Sequence, residues 1–189
     1  NLIVTYFEFY RNCPNTFKIL DLFKQFLISR RLEHPLKQNI IQIFTSCFAS
    51  QVPQTIAALY RSFADIAHFN NEMRRPFDVP IITNDYFEAH VSYPGISKEV
   101  IAYIAEVANY LKLNAKIIQA ILAAVNTPDS AQVALSALIK LSALETYVVD
   151  ILNGLPVIFQ EKGNEILKIQ ILLSLIKFKY GKENLTKVQ

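Results

Sequence analysis

An all-α fold built from about five stacked helical units is what this sequence predicts, on three observations. Long segments carry apolar residues at helical spacing, prolines recur at near-regular intervals between them, and alternating strand patterns of any length are absent. Pro14, Pro53, Pro94 and Pro128 each precede a long apolar helical pattern, at separations of 39, 41 and 34 residues. Pro35 and Pro76 mark a second junction, 41 residues apart. Proline is tolerated at a helix start, where its missing N–H has no partner to lose, and is disfavoured inside, so regular prolines mean regular helix boundaries. Periods of this size are the signature of stacked helical repeats.

The first unit, residues 1–38, opens with LIVTYFEFY, an apolar helix ending near Asn12. Asn15 stands where it can cap the next helix, TFKILDLFKQFLISRR, whose Phe17, Leu20, Phe23 and Leu27 recur at helical spacing. The second unit, 39–80, runs NIIQIFTSCFAS, a break at Val52-Pro53, then QTIAALYRSFADIAHFN and a short NEMRRPF segment near Pro76 and Pro80. The third, 81–114, is IITNDYFEAHVSY, a Pro94-Gly95 turn, and KEVIAYIAEVANYLKL with Ser97 as its cap. The fourth, 115–154, is AKIIQAILAAV, a turn at Thr127-Pro128-Asp129 and the helix AQVALSALIKLSAL. The fifth, 155–189, is LPVIFQEKG, a Gly163-Asn164 break and EILKIQILLSLIKFKYGK, with ENLTKVQ starting a sixth.

Aligned by core pattern, the long helices place Phe23, Tyr60, Ile104, Leu138 and Leu175 at one equivalent position. Phe26, Phe63, Val107, Leu141 and Phe178 follow three residues later, and small residues (Ala64, Ala108, Ser142) come next in the middle units. Small side chains at a repeated position let neighbouring helices approach closely.

Composition excludes several classes. At 189 residues the chain fits one domain that can bury a substantial core, and 52% hydrophobic content with only 4 Gly describes a folded, helix-favouring chain. A net charge of +3 gives nucleic-acid binding no support. Cys13 and Cys47 make no disulfide framework, which points to a reduced, intracellular and cytoplasmic home. The longest uncharged run, between Lys37 and Arg61, holds Gln38, Asn39, Gln42, Gln51, Pro53 and Gln54, groups costly in hydrocarbon, so no transmembrane helix is expected. With no initiating Met and no basic-then-apolar leader, the chain reads as part of a longer protein.

The fourth and fifth units resemble armadillo repeats. PDSAQVALSALIKLSALETYVVDILNGLPVI is similar to the armadillo order of a loop, a third helix ending Leu-x-x-Leu-Ala/Ser, a short first helix, and Gly-hydrophobic-Pro opening the second helix. GNEILKIQILLSLIKFKYGKENLTKV repeats this, and SFADIAHFNNEMRRPFDVPII is a looser copy, so the likeness is clearest over residues 115–189. HEAT repeats are a close competitor. The resemblance implies a right-handed α-solenoid of about five armadillo/HEAT-like units that binds another protein, with no cofactor and no metal. Peptide-carrying adaptors of the armadillo family have an Asn just before the second Leu of the third helix. The equivalent residues here are Gln25, Ser62, Glu106, Lys140 and Lys177, so that asparagine ladder is absent.

No spacing for a P-loop, dinucleotide fingerprint, zinc-protease helix or nucleophile elbow occurs. Asp65 and His68, three residues apart, can share a helix face as an oriented base, though no matching nucleophile is visible and an edge pair is the plainer reading. Asp85, Glu88 and His90 are potential metal ligands, but His90 lies two positions from Glu88 and points elsewhere on a helix. His34 beside Pro35 reads as a junction residue, and Cys13 and Cys47 as small core or junction residues. Gln119 and Gln170 on apolar helices mark candidate groove positions, and Phe44, Phe48, Phe63, Tyr86 and Phe87 read as core.

The chain is therefore expected to be a non-enzymatic scaffold whose concave face carries Ser62, Asp65, Glu106, Asn109, Lys140 and Lys177. The alternative is a helical regulatory domain acting on a small GTPase, or in peripheral contact with an anionic membrane, through a basic ridge of Arg30, Arg31, Arg74 and Arg75.

Overall fold

The computed structural model describes residues 11–13, 15–28, 34–73, 82, 84–160 and 162–178, with the backbone alone at 26 and 34–36. Among these residues the chain is all-α, with nine α-helices, two 3-10 turns and no strand. In chain order they are α1 (Thr16–Ile28), α2 (His34–Cys47), α3 (Pro53–Glu72), α4 (Asn84–His90), α5 (Ser97–Val107), α6 (Ala115–Ala124), α7 (Ala131–Ser142), α8 (Val148–Gln160) and α9 (Glu165–Ile176). The 3-10 turns are Ala108–Tyr110, after α5, and Glu145–Tyr147, before α8.

Packing follows the chain. Among the odd helices α1 lies on α3, α3 on α5, α5 on α7 and α7 on α9. The even helices α4, α6 and α8 pack in the same succession, and each touches an odd helix next to it in sequence. Arg61 of α3 meets Glu99 of α5, and His68, two turns further on, meets Glu106, so α3 and α5 run in the same direction.

The core lies where the aligned positions placed it. Tyr60, Ile104, Leu138 and Leu175 are fully buried, as are Phe63, Val107 and Leu141, while Phe23 packs partly buried against them. The small positions Ala64, Ala108 and Ser142 are buried too. The α3–α5 seam is aromatic: Phe63 meets Tyr103 at 5.8 Å between ring centroids and Phe44 at 5.3 Å, and Tyr60 meets Tyr103 at 6.1 Å. Phe48 and Phe87 join the same cluster, and of the five aromatics read as core only Tyr86 is exposed.

Two turns are built alike. In VSYPGIS the N–H groups of Ile96 and Ser97 donate to the Tyr93 carbonyl, and Val100 N–H to Ile96. In VNTPDSA, thirty-four positions on, Ser130 and Ala131 donate to Thr127, and Ala134 to Ser130. Gly95 adopts φ +80° in the first turn, a region that costs a residue with Cβ about 1 kcal/mol or more. The Gly163-Asn164 break holds as well, with φ of 95° and 57°.

Two local expectations are corrected. Gly154-Leu155-Pro156 opens no helix, because α8 runs through it from Val148 to Gln160 with Pro156 inside. Glycine serves there as a contact: a Cβ on Gly154 would sit 2.4 Å from Leu122 Cδ1, so its absence lets α8 lie close against α6. An interior proline costs about 3 kcal/mol, and the full burial of Val148, Ile151 and Ile158 offsets it. Ser97 is the first helical residue of α5, preceded by Ile96 at the cap position, and no side chain caps that end. The side-chain cap lies at Asn114, whose Oδ1 accepts from Ile117 N–H at 3.1 Å before α6. The LIVTYFEFY helix and the ENLTKVQ tail lie outside the described residues.

Because Phe63 is enclosed by three other rings across two seams, Phe63→Ala is expected to lower unfolding free energy by about 3–5 kcal/mol. Chemical denaturation measures this directly; a loss under about 1 kcal/mol contradicts the packing described.

Candidate partner-binding face

The odd helices carry polar residues along the borders of their seams, and most of these groups are used within the chain. Lys24 Nζ of α1 reaches Asp65 Oδ2 of α3 at 2.6 Å. Arg61 Nη2 of α3 holds Glu99 Oε1 of α5 at 2.9 Å. Glu106 of α5 is shared: Lys140 Nζ of α7 lies 2.7 Å from its Oε1, and His68 Nδ1 of α3 lies 3.4 Å from its Oε2. The Glu106 carbonyl also accepts from Asn71 Nδ2 at 2.9 Å. Exposed pairs of this kind contribute about 0–1 kcal/mol each, so they set register between helices more than they stabilise them.

Asp65, Glu106 and Lys140 are thus engaged in ion pairs across the seams, Asp65 with Lys24 and Glu106 with Lys140. Asn109 and Lys177 are exposed, and among the described residues no carboxylate reaches Lys177. Ser62 does not belong to an exposed face: it is fully buried and its Oγ has no hydrogen-bond partner among the described residues. The reason is that α3 is flanked by α1 and α5 and buried over most of its surface, as Thr55, Leu59, Phe63 and Ile66 also are. Arg30, Arg31, Arg74 and Arg75, the expected basic ridge, lie outside the described residues. Gln170 is exposed on α9, whereas Gln119 is exposed on α6, in the even row.

The titratable groups singled out in the sequence find other partners than the ones proposed. His68 pairs with Glu72 at 3.1 Å and with Glu106, while Asp65 pairs with Lys24. Glu88 is held by Asn114 and by Lys116 at 3.4 Å, and His90 by Tyr60, so Asp85, Glu88 and His90 do not converge. Tyr60 Oη lies 3.0 Å from His90 Nδ1, with the two rings edge to face and Tyr86 stacked on the imidazole. Burial pushes the Tyr60 phenol far above its ordinary range and the His90 imidazole below its ordinary value. Cys47 is buried and its thiol is pushed up to about 11 by burial, so it stays protonated and inert, as a core residue does.

A cleft of about 630 Å³ opens between the two similar turns, lined by Pro94, Gly95, Lys98, Ala123, Thr127 and Asp129 among others. Neither His68 nor His90 lines it. Among the described residues no group of three or more His, Cys, Asp or Glu is placed to hold a metal ion, and no helix is long and apolar enough to cross a membrane. What the arrangement offers chemically is a surface: a border of paired charges, exposed polar groups such as Asn109 and Lys177, and exposed apolar residues on α9. No protein-family model, curated protein or solved structure matches the chain.

The His90 environment has a pH consequence. The folded imidazole binds its proton less readily than the unfolded one, whose ordinary value is 6.5, so stability is full above that value and falls as pH drops through it. Thermal unfolding between pH 7.5 and 5.5 is expected to show a falling Tm, with a slope reduced in His90→Gln. An equal slope in the variant contradicts the assignment.

Proposed function

We propose that the chain is a non-enzymatic protein-interaction scaffold, an α-solenoid of armadillo/HEAT-like helix pairs that presents the border of its odd helices to another protein. The observation that carries this reading is the packing order: each odd helix meets the next one along the chain, and α3, α5 and α7 meet one on either side, as in a stack whose units touch mainly their neighbours. The two turns with matching hydrogen bonds, thirty-four positions apart, support the same view, since a laid-down repeat reproduces its junctions. The continuous α8 favours a two-helix unit, closer to HEAT than to the three-helix armadillo brick.

Recognition by such a face falls to groups that the stack has not already consumed. Reversing Lys140 sets a carboxylate against Glu106 and so perturbs the seam as well as the surface. Lys177 and Asn109 are the cleaner probes, exposed and outside the ion-pair network. A few anchors of this kind dominate most protein interfaces.

The test is a quantitative pull-down from cell extract with the full chain and with Lys177→Glu and Asn109→Arg, read by mass spectrometry. The expected result is a protein retained by the wild-type chain and reduced at least fivefold by one of the variants, with Tm unchanged. Equal recovery with all three proteins removes this face from the account.

A further inference from the structure

Four large aliphatic side chains of α9 are left uncovered: Ile166 is 75% exposed, Leu173 58%, Ile169 53% and Ile176 41%. Their spacing of three, four and three residues puts them on one side of the helix. The other side buries Lys168, Ile171 and Leu175, where α9 meets α7 and α8. In α1, α3, α5 and α7 the next odd helix packs alongside; α9 is the odd helix that lacks this cover among the described residues.

Three of the four covered seams share a second feature. A cation–carboxylate pair crosses α1–α3 at Lys24–Asp65, α3–α5 at Arg61–Glu99 and α5–α7 at Lys140–Glu106. Lys177 follows Leu175 by two residues, as Lys140 follows Leu138 and Glu106 follows Ile104, so it holds the same register on α9. It also stands one turn after Leu173 and borders the aliphatic stripe. Its own seam cannot serve it, because the α7 residue in that register is Lys140, already bonded to Glu106. The uncovered face therefore has the two components of an odd-helix seam, an apolar stripe and one half of an ion pair.

We propose that this face of α9 is a docking site for an amphipathic helix of a partner protein, which lies along α9 as the odd helices lie on one another and sets a carboxylate against Lys177. The inference rests on the reading of the chain as a protein-binding stack and gives the partner its chemistry: apolar residues at i, i+3 and i+7 with an acidic residue beside them. A second copy of the chain fits less well. One helix face with four partly exposed aliphatic residues falls short of the roughly 800 Å² per partner that a stable dimer buries.

The probe is a fluorescein-labelled peptide copying residues 97–110, SKEVIAYIAEVANY, because α5 carries both the apolar stripe and Glu106 in the required register. Fluorescence anisotropy with the full chain is expected to give saturable binding, weakened at least tenfold by Leu173→Asp and at least fivefold by Lys177→Glu, with Tm unchanged in both variants. The peptide carrying Glu106→Lys should bind the Lys177→Glu chain at least fivefold more tightly than the wild-type chain. Absence of saturable binding, equal affinity for Leu173→Asp, or failure of the charge swap overturns the site. So does a concentration-dependent dimer in sedimentation that Leu173→Asp abolishes, since the occupant is then a second copy. Loss of cellular partner capture in Lys177→Glu but not in Leu173→Asp overturns the α9 site and leaves the broader scaffold reading standing.

Discussion

The contact between α3 and α5 is the constraint on which the rest of the structure depends. Tyr60, Phe63 and Tyr103 fill that seam with rings 5.8–6.1 Å apart, and Phe44, Phe48 and Phe87 close it from the helices on either side. Aromatic side chains bury more area per residue than any others, and offset or tilted pairs add about 0.5–1.5 kcal/mol beyond it. The seams toward α9 use aliphatic residues and alanine at the same register, as in Leu138, Leu141 and Leu175. Once α3 and α5 are locked side by side in one direction, α1 and α7 have only their outer flanks to pack on, and the even helices fall into a second row.

This arrangement decides what the polar residues are free to do. A helix flanked on two sides keeps a narrow exposed strip, and charges along that strip lie within reach of the neighbouring strip. Asp65, Glu99 and Glu106 meet Lys24, Arg61, His68 and Lys140 for this reason. A mixed-charge border that reads as a recognition surface in one dimension is largely self-satisfied in three. Lys177 stays outside that network, since its register neighbour on α7 is another lysine, already paired with Glu106.

Much of the architecture was legible in the sequence, because helix boundaries and buried columns leave one-dimensional traces. Pro53, Pro94, Pro128 and the Gly163-Asn164 pair mark real junctions. In the two aligned columns Tyr60, Ile104, Leu138 and Leu175, and Phe63, Val107 and Leu141, are buried, while Phe23 and Phe178 at the ends are partly so. Pro156 misled, since a proline at a helix start and one inside a helix look alike until the glycine two residues before it is seen against Leu122. Ser62 misled in the same way: a small polar residue is equally at home on a surface and in a close helix contact. The histidine and carboxylate partnerships escaped notice because Tyr60 and His90, or Lys140 and Glu106, are thirty or more residues apart and only the packing joins them.

Native-state hydrogen exchange under mild denaturant tests whether each helix is held by its neighbours around the α3–α5 seam. Graded protection is expected, with amides of α3 and α5 exchanging only on global unfolding and those of α9 through a local opening of lower free energy. Exchange of α9 in the same cooperative event as α3 and α5, with the same free energy and denaturant dependence, would contradict it.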